Sequence, residues 1–240
     1  MKPLRLFRIT ASLAILGAFA LAASVPAHAG TITWTDWSAG TNTPGNPYQT
    51  VAGTAAGDMG GITVTYNGQF QSVDLNYPSW LPTTTFTTSN PPSAFGIVHM
   101  QGGTDLAESI TFSSAVTNPV VAIWSLGQGG EPASYDFTSS EPFTIIAGGP
   151  GAEYGGSSIT KDGYDVEGRE GDGVIEFYGT YGPANPISFT TPESENWYGF
   201  TVGESSVPPP VPEPETLSLL GLGLAALPFL RSRFARRRRA

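Results

Sequence analysis

Glycine and proline punctuate this 240-residue chain so densely that no stretch between Thr31 and Ser205 sustains the 3.6-residue hydrophobic period of a helix. With 30 Gly and 21 Pro beside abundant Thr and Ser, few windows lack a turn signal, and a chain so interrupted folds as short strands. The apolar residues alternate accordingly. Ile62, Val64 and Tyr66 are separated by Thr63 and Thr65, and Asn67-Gly68 then offers the two positive-φ residues of a type I′ turn before Phe70 opens a return strand. Ile110-Thr111-Phe112, Val174 to Tyr178, Ile187-Ser188-Phe189 and Trp197 to Val202 continue the pattern, with Tyr198, Phe200 and Val202 on one face. Val120 to Trp124 is apolar without alternation, as in a central strand covered on both sides. Phe95 to Met100, Phe143 to Ala147 and Ile32 to Thr35 complete a set of roughly ten strands with no fixed internal period, which predicts an all-β single domain of β-sandwich or jelly-roll type. Pro82 to Pro92 reads as an exposed Thr/Ser/Pro loop, either plain or O-glycosylated.

The two ends obey different rules. Lys2, Arg5 and Arg8 precede an apolar run from Ile9 to Ala23, and Val25-Pro26-Ala27-His28-Ala29 closes it with Ala27 and Ala29 at the two small-residue positions of a cleavage site. That order is a secretory signal peptide over residues 1–29, cut by signal peptidase; the run is too short for the roughly 20 residues of a spanning helix. At the other end Val207 to Pro214 is a stiff, extended polyproline spacer, followed by an apolar run from Leu217 to Leu230 and then Arg231, Arg233, Arg236, Arg237, Arg238 and Arg239. Arginine excess marks the side of the membrane that stays inside, so everything before Leu217 lies outside. A fourteen-residue run crosses the bilayer only by thinning it and snorkelling its arginines, which suits a temporary anchor.

Val211-Pro212-Glu213-Pro214, the short apolar helix and the terminal arginine cluster together resemble the PEP-CTERM sorting signal. The resemblance covers about thirty residues, and its specificity lies in the three-part order. It implies recognition by a membrane-embedded exosortase, cleavage near Pro212-Glu213-Pro214, and delivery to the cell surface or the exopolysaccharide matrix after transient anchoring in the inner membrane. The competing reading is an ordinary tail anchor. The chain thus divides into a signal peptide (1–29), a β module (30–205), a Pro-rich spacer (206–215) and a transmembrane sorting helix with its Arg tail (216–240). The module also resembles, loosely, the uncharacterised β-rich modules that precede such tails, through Ile110-Thr111-Phe112, Thr117-Asn118-Pro119-Val120, Ile123-Trp124-Ser125-Leu126-Gly127, Gly173 to Phe177 and Trp197 to Gly203. That likeness implies a fold and no activity.

Charge narrows the function. Nine of the eleven Lys and Arg sit in the two ends, leaving Lys161 and Arg169 against eighteen acids in the module. Such a surface repels nucleic acid and anionic lipid and attracts divalent cations or cationic partners; it also serves simply to keep an exported protein soluble. The absence of cysteine leaves packing as the only staple and excludes thiol chemistry.

Candidate chemistry is sparse. His99 is the only histidine of the mature module and sits in a strand-like run, and no Gly-x-Ser-x-Gly elbow accompanies it. Carboxylates are numerous, but nothing selects the pair a glycosidase needs. Asp162, Asp165, Glu167, Glu170 and Asp172, threaded by glycines, are oxygen ligands of the kind calcium takes, although the spacing matches no EF-hand; a solvated hairpin loop is the alternative. Trp34, Trp37, Tyr77, Trp80, Tyr154 and Tyr181 stand beside Gly, Pro, Ser or Asp, where they serve either as packing and loop anchors or as flat faces for sugar rings. The expectation is a non-enzymatic surface or matrix protein with no obligatory cofactor. The alternatives are a carbohydrate-binding module for the extracellular polysaccharide and, third, a carboxylate-based glycoside hydrolase.

Overall fold

The computed structural model describes residues 31–42, 52–86, 88, 90–137, 142–152 and 154–206. The signal-cleavage residues Ala27 and Ala29, the motif Val211 to Pro214 and the arginine tail lie outside them. Among the described residues there is no helix, and the chain is all-β. The strands are β1 (Ile32–Trp34), β2 (Asp36–Asn42), β3 (Ala52–Met59), β4 (Ile62–Gln69), β5 (Ser72–Asp74), β6 (Ile97–Phe112), β7 (Val116–Thr117) and β8 (Pro119–Leu126). They continue as β9 (Ala133–Phe137), β10 (Phe143–Gly149), β11 (Thr160–Asp162), β12 (Asp165–Gly168), β13 (Gly171–Phe177), β14 (Thr180–Tyr181) and β15 (Ile187–Ser205). Thirteen of them form one antiparallel sheet and β7 pairs with β14.

Two strands, β6 and β15, hold this sheet together and fold it over. Phe189 and Phe200 lie on the same strand, and a straight strand would set them roughly 37 Å apart. Their rings instead meet edge to face at 6.3 Å. β15 therefore bends sharply between them, and its register against β6 shifts between Phe189 and Thr191, between Thr191 and Ser194, and between Ser194 and Tyr198. β6 bends opposite, at Gly102 and Gly103, both with positive φ. The early half of β15 carries β9 beside it and the late half of β6 carries β4, continuing to β3 and β2. The late half of β15 pairs with β8, continuing to β13 and β10, while the early half of β6 takes β5. The arrangement is two sheet halves joined by shared strands and fits a β-sandwich.

The space between the halves holds the main core, with Trp37, Tyr66, Met100, Phe112, Ile123, Tyr135, Phe177, Phe189 and Phe200 in one buried cluster. Trp37 meets Phe200 edge-on at 6.2 Å, and Phe137 meets Phe177 at 5.0 Å. β8 is buried along its whole length because its other face, with Val120, Ala122 and Trp124, supports a second cluster containing Trp80 and Phe86. That outer cluster is roofed by two loops stitched to each other, Thr85 Oγ1 donating to Pro150 O at 2.6 Å and Ala152 N to Leu81 O at 3.1 Å. Asn90 closes the N-terminal side by standing in for a strand: it accepts from Ile32 N and donates to Ile32 O, each at 2.6 Å.

Three sequence expectations change. The turn is not at Asn67-Gly68: β4 runs straight through them, paired with Thr54 and Gly53, and the two-residue turn is Gly60-Gly61, both with positive φ. Gly68 answers a different need, since a Cβ there would press on the Tyr66 hydroxyl and the Glu108 side chain. The segments around Phe95–Met100 and Ile110–Phe112 are one strand, as are Ile187–Phe189 and Trp197–Val202. Pro82 to Pro92 is not wholly an exposed loop: Thr85, Phe86 and Pro92 are buried beneath it while Pro82 to Thr84 face outward, because the outer face of β8 needs an apolar cover.

The bend makes a sharp prediction. At Gly102 an added Cβ would collide with the Glu193 carbonyl oxygen and the Tyr198 hydroxyl, and its φ is +64°. Gly102→Ala is expected to destabilise the fold on the order of 2–4 kcal/mol. Gly129→Ala, where nothing lies within 4 Å, leaves the melting temperature within about 1 °C. Thermal unfolding of the two variants checks this.

Candidate functional site

The outer face of β8 is where unusual features gather. Trp124 on β8, Gly199 on β15 and His99 on β6 are cross-strand neighbours, and the absence of a side chain at Gly199 makes room for Ile97, which a Cβ there would strike. Trp197 joins both rings, stacked on His99 at 4.5 Å and edge-on to Trp124 at 5.4 Å. Tyr77 packs on Trp197 at 4.9 Å, and Tyr154 reaches Trp124 at 6.4 Å from the roof loop. His99 and Trp124 are buried, Tyr77 and Trp197 half-buried, and Tyr154 is 61% exposed, so the cluster rises from core to surface.

Three carboxyl groups border these rings. Ser125 donates from its backbone N to Asp172 Oδ1 at 3.0 Å and from Oγ to Glu170 Oε2 at 2.8 Å. Glu195 Oε1 accepts from Trp197 N at 3.2 Å, while its buried Oε2 has no hydrogen-bond partner. Ser125, Tyr154 and Glu170 all have positive φ, so three of the four non-glycine residues described in that conformation meet here. Holding them left-handed costs on the order of 1–2 kcal/mol apiece, and such strain collects where a particular side-chain placement is needed. The roof loop is held down by Asp172 N donating to Ser157 O at 3.0 Å and Ile159 N to Asp172 O at 3.2 Å.

Burial controls the ionisation of this face. It pushes the Asp172 carboxyl up to about 7, against the Ser125 N–H and with the help of the Glu170 charge. It pushes Glu195 to about 7 as well, opposed by the N–H groups of Trp197 and Gly127 and assisted by Glu170. Burial lowers His99 to about 4, partly offset by the charge of Asp74, so His99 is a neutral stacking ring at ordinary pH. A further acid lies inside the main core: Glu108 Oε1 accepts from Thr191 Oγ1, and the Tyr66 hydroxyl sits between Glu108 Oε2 and Gln69 O. One hydroxyl proton serves only one of two acceptors, so both contacts are satisfied when Glu108 itself carries a proton. Burial raises Glu108 to about 7, in agreement.

The five acids singled out from sequence part company. Glu170 and Asp172 join Ser125 beside the aromatic cluster. Asp162, Asp165 and Glu167 stay on the β11–β12 hairpin, where Asp165 faces Asp136 of β9, and burial and then the charges of Asp136, Asp162, Glu167 and Glu193 raise the Asp165 pKa. Among the described residues no group of three or more His, Cys, Asp or Glu is arranged to hold a metal ion. Of the six aromatics marked by their polar neighbours, Trp37, Trp80 and Tyr181 are buried, and Trp34 is half-buried with its Nε1 on Asn90 O at 3.0 Å. Trp34 and Trp80 belong to the wider outer cluster, and only Tyr77 and Tyr154 touch the rings of Trp124 or Trp197. Glu195 and the stacking role of Trp197 were not visible in sequence; the nearest signal was the polar run Thr190 to Asn196 placed before an alternating strand. No protein-family model matches this chain, and neither a curated protein nor a solved structure matches it.

The ionisation sets a pH dependence. Unfolded, Glu108, Asp172 and Glu195 titrate near 4; folded, near 7, so between those values the folded state binds more protons and stability falls as pH rises. His99 acts in the opposite sense, losing stability as pH falls from about 6.5 to about 4. Three carboxyls outweigh one imidazole. Melting at pH 5 is expected to exceed that at pH 8 by roughly 4 °C or more, and Glu108→Gln to shrink the difference. A flat profile, or one rising toward pH 8, contradicts the assignment.

Proposed function

We propose that this chain is an exported cell-surface or exopolysaccharide-matrix protein with a non-enzymatic structural or interaction role. Its module is a single β-sandwich of jelly-roll type, delivered by a signal peptide and a C-terminal PEP-CTERM signal. The observation that carries this reading is the order of Val211-Pro212-Glu213-Pro214, the apolar run Leu217 to Leu230 and the arginine cluster. Signal peptidase and an exosortase are the processing partners, and the module is held outside the inner membrane until the second cut. No cofactor is part of this reading, and calcium is the ion that the acidic surface would attract.

One feature of the fold supports double trimming. β1 pairs with the end of β15, Ile32 opposite Ser205, and Ser206 N donates to Thr31 O at 2.9 Å. The chain enters and leaves the module at one place, within a few residues of both expected cuts. Every strand pairing described lies between Ile32 and Ser205, inside both cuts.

A second reading, that the module binds polysaccharide, is favoured by the outward-rising rings of Trp197 and Tyr154. The sorting reading is tested by intact mass of the protein recovered from cells and medium. The expected species starts at Gly30 and ends near Pro212 to Pro214, and deletion of Arg231 to Ala240 is expected to abolish the second cut. Normal C-terminal processing and surface display in that deletion would falsify the sorting assignment.

A further inference from the structure

We infer that the ledge formed by Trp197 and Tyr154, with Glu170 and Glu195 at its border, is a subsite for one pyranose ring of an uncharged polysaccharide. The inference deepens the second reading above by naming the site and its ligand class. The apolar C–H face of a pyranose needs a flat aromatic surface that is open to solvent on one side and rigid on the other. Trp197 is rigid, because His99 stacks on it at 4.5 Å and Trp124 and Tyr77 pack against it, and it is half-buried, so part of its ring meets solvent. Tyr154 stands above Trp124 and is the most exposed large hydrophobic side chain described. It is carried on a loop continuing into Gly155 and Gly156, the first of which has nothing within 4 Å of a virtual Cβ.

Hydroxyls of the same ring require hydrogen-bond partners at the edge of that surface. Glu195 is 7% exposed, with Oε1 fixed by Trp197 N, the Gly127 N–H beside the carboxyl, and no well-formed hydrogen bond at Oε2. A buried acceptor without a well-formed hydrogen bond is costly, and a sugar hydroxyl relieves it once the side chains that close it from solvent shift on binding. Glu170, fixed by Ser125 Oγ and half-buried, offers a second carboxylate to a neighbouring hydroxyl. These acids, within a module whose acids far outnumber its bases, repel uronate and sulfated sugars, which restricts the ligand to uncharged or N-acetylated hexoses.

The test uses the full chain, purified in a detergent without a sugar headgroup, on an array of gluco-, manno-, galacto- and N-acetylglucosamine oligosaccharides beside uronate oligosaccharides. Retention of at least one uncharged series and of no uronate series is expected. Titration with the best-retained oligosaccharide should then show affinity lowered about tenfold or more in both Tyr154→Ala and Trp197→Ala, and unchanged in Tyr164→Ala, an equally flat ring exposed on the β11–β12 turn. Tyr154→Ala keeps the test valid if Trp197→Ala fails to fold, since Tyr154 lies mostly outside the core. Retention of no uncharged series, a preference for uronates, or affinity indifferent to Tyr154→Ala overturns the subsite. Release of reducing ends that Glu170→Gln abolishes would support a sugar site here while refuting the non-enzymatic reading, and neither result depends on how the chain is sorted.

Discussion

The crossing of β6 and β15 is the constraint on which the other features depend. Each strand serves both halves of the sheet, so the bend at Gly102 and Gly103 fixes how the halves face one another. Because β15 turns back on itself, Phe189 and Phe200 meet inside one core cluster, and Tyr66 from β4 touches both, stacked on the first at 6.3 Å and edge-on to the second at 5.2 Å. The same turn places Trp197 on the outer face between His99 and Trp124. With no cysteine in the chain, this packing has no covalent support.

Polar groups follow the bend rather than avoid it. Where strand pairing is interrupted, Thr191 Oγ1 holds Glu108, and Glu108 holds Tyr66, so hydrogen bonds continue through the region in which the backbone ladder shifts register. On the outer face Ser125 links Asp172 and Glu170 by the same logic, its backbone turned to positive φ so that N and Oγ reach different carboxyls. Both places retain protonatable acids in dry surroundings. The module thus carries most of its negative charge on the surface and a few carboxyls whose neutral form the fold favours.

The fold class was legible because composition alone denies a helix its period and because Val120 to Trp124 advertises a strand covered on both sides. What escaped was strand identity where side chains are small. β3, Ala52–Met59, has too little hydrophobic contrast to register as a strand, yet pairs with β4 along its full length. Asn67-Gly68 misled because a glycine that admits close packing looks the same in sequence as one that turns the chain. The site was the least legible part. Its residues, His99, Trp124, Tyr154, Glu170, Asp172, Glu195 and Trp197, come from separate strands and a roof loop, brought together by the pairing of β8 with β13 and β15 and by the turn of β15. Grouping the acids by sequence proximity joined Asp162 to Asp172, whereas the alternation of β12 and the turn at Glu170 send them to different surfaces.

If β6 and β15 unite the two halves, the halves have no independent stability. Native-state hydrogen exchange on the amides of β15 measures this directly, comparing the early half near Ile187 to Phe189 with the late half from Gly199 to Val202. The account predicts that the most protected amides of both halves exchange through one global opening, with the same free energy and the same dependence on denaturant. Separate opening free energies, with one half exchanging while the other stays protected, would contradict it.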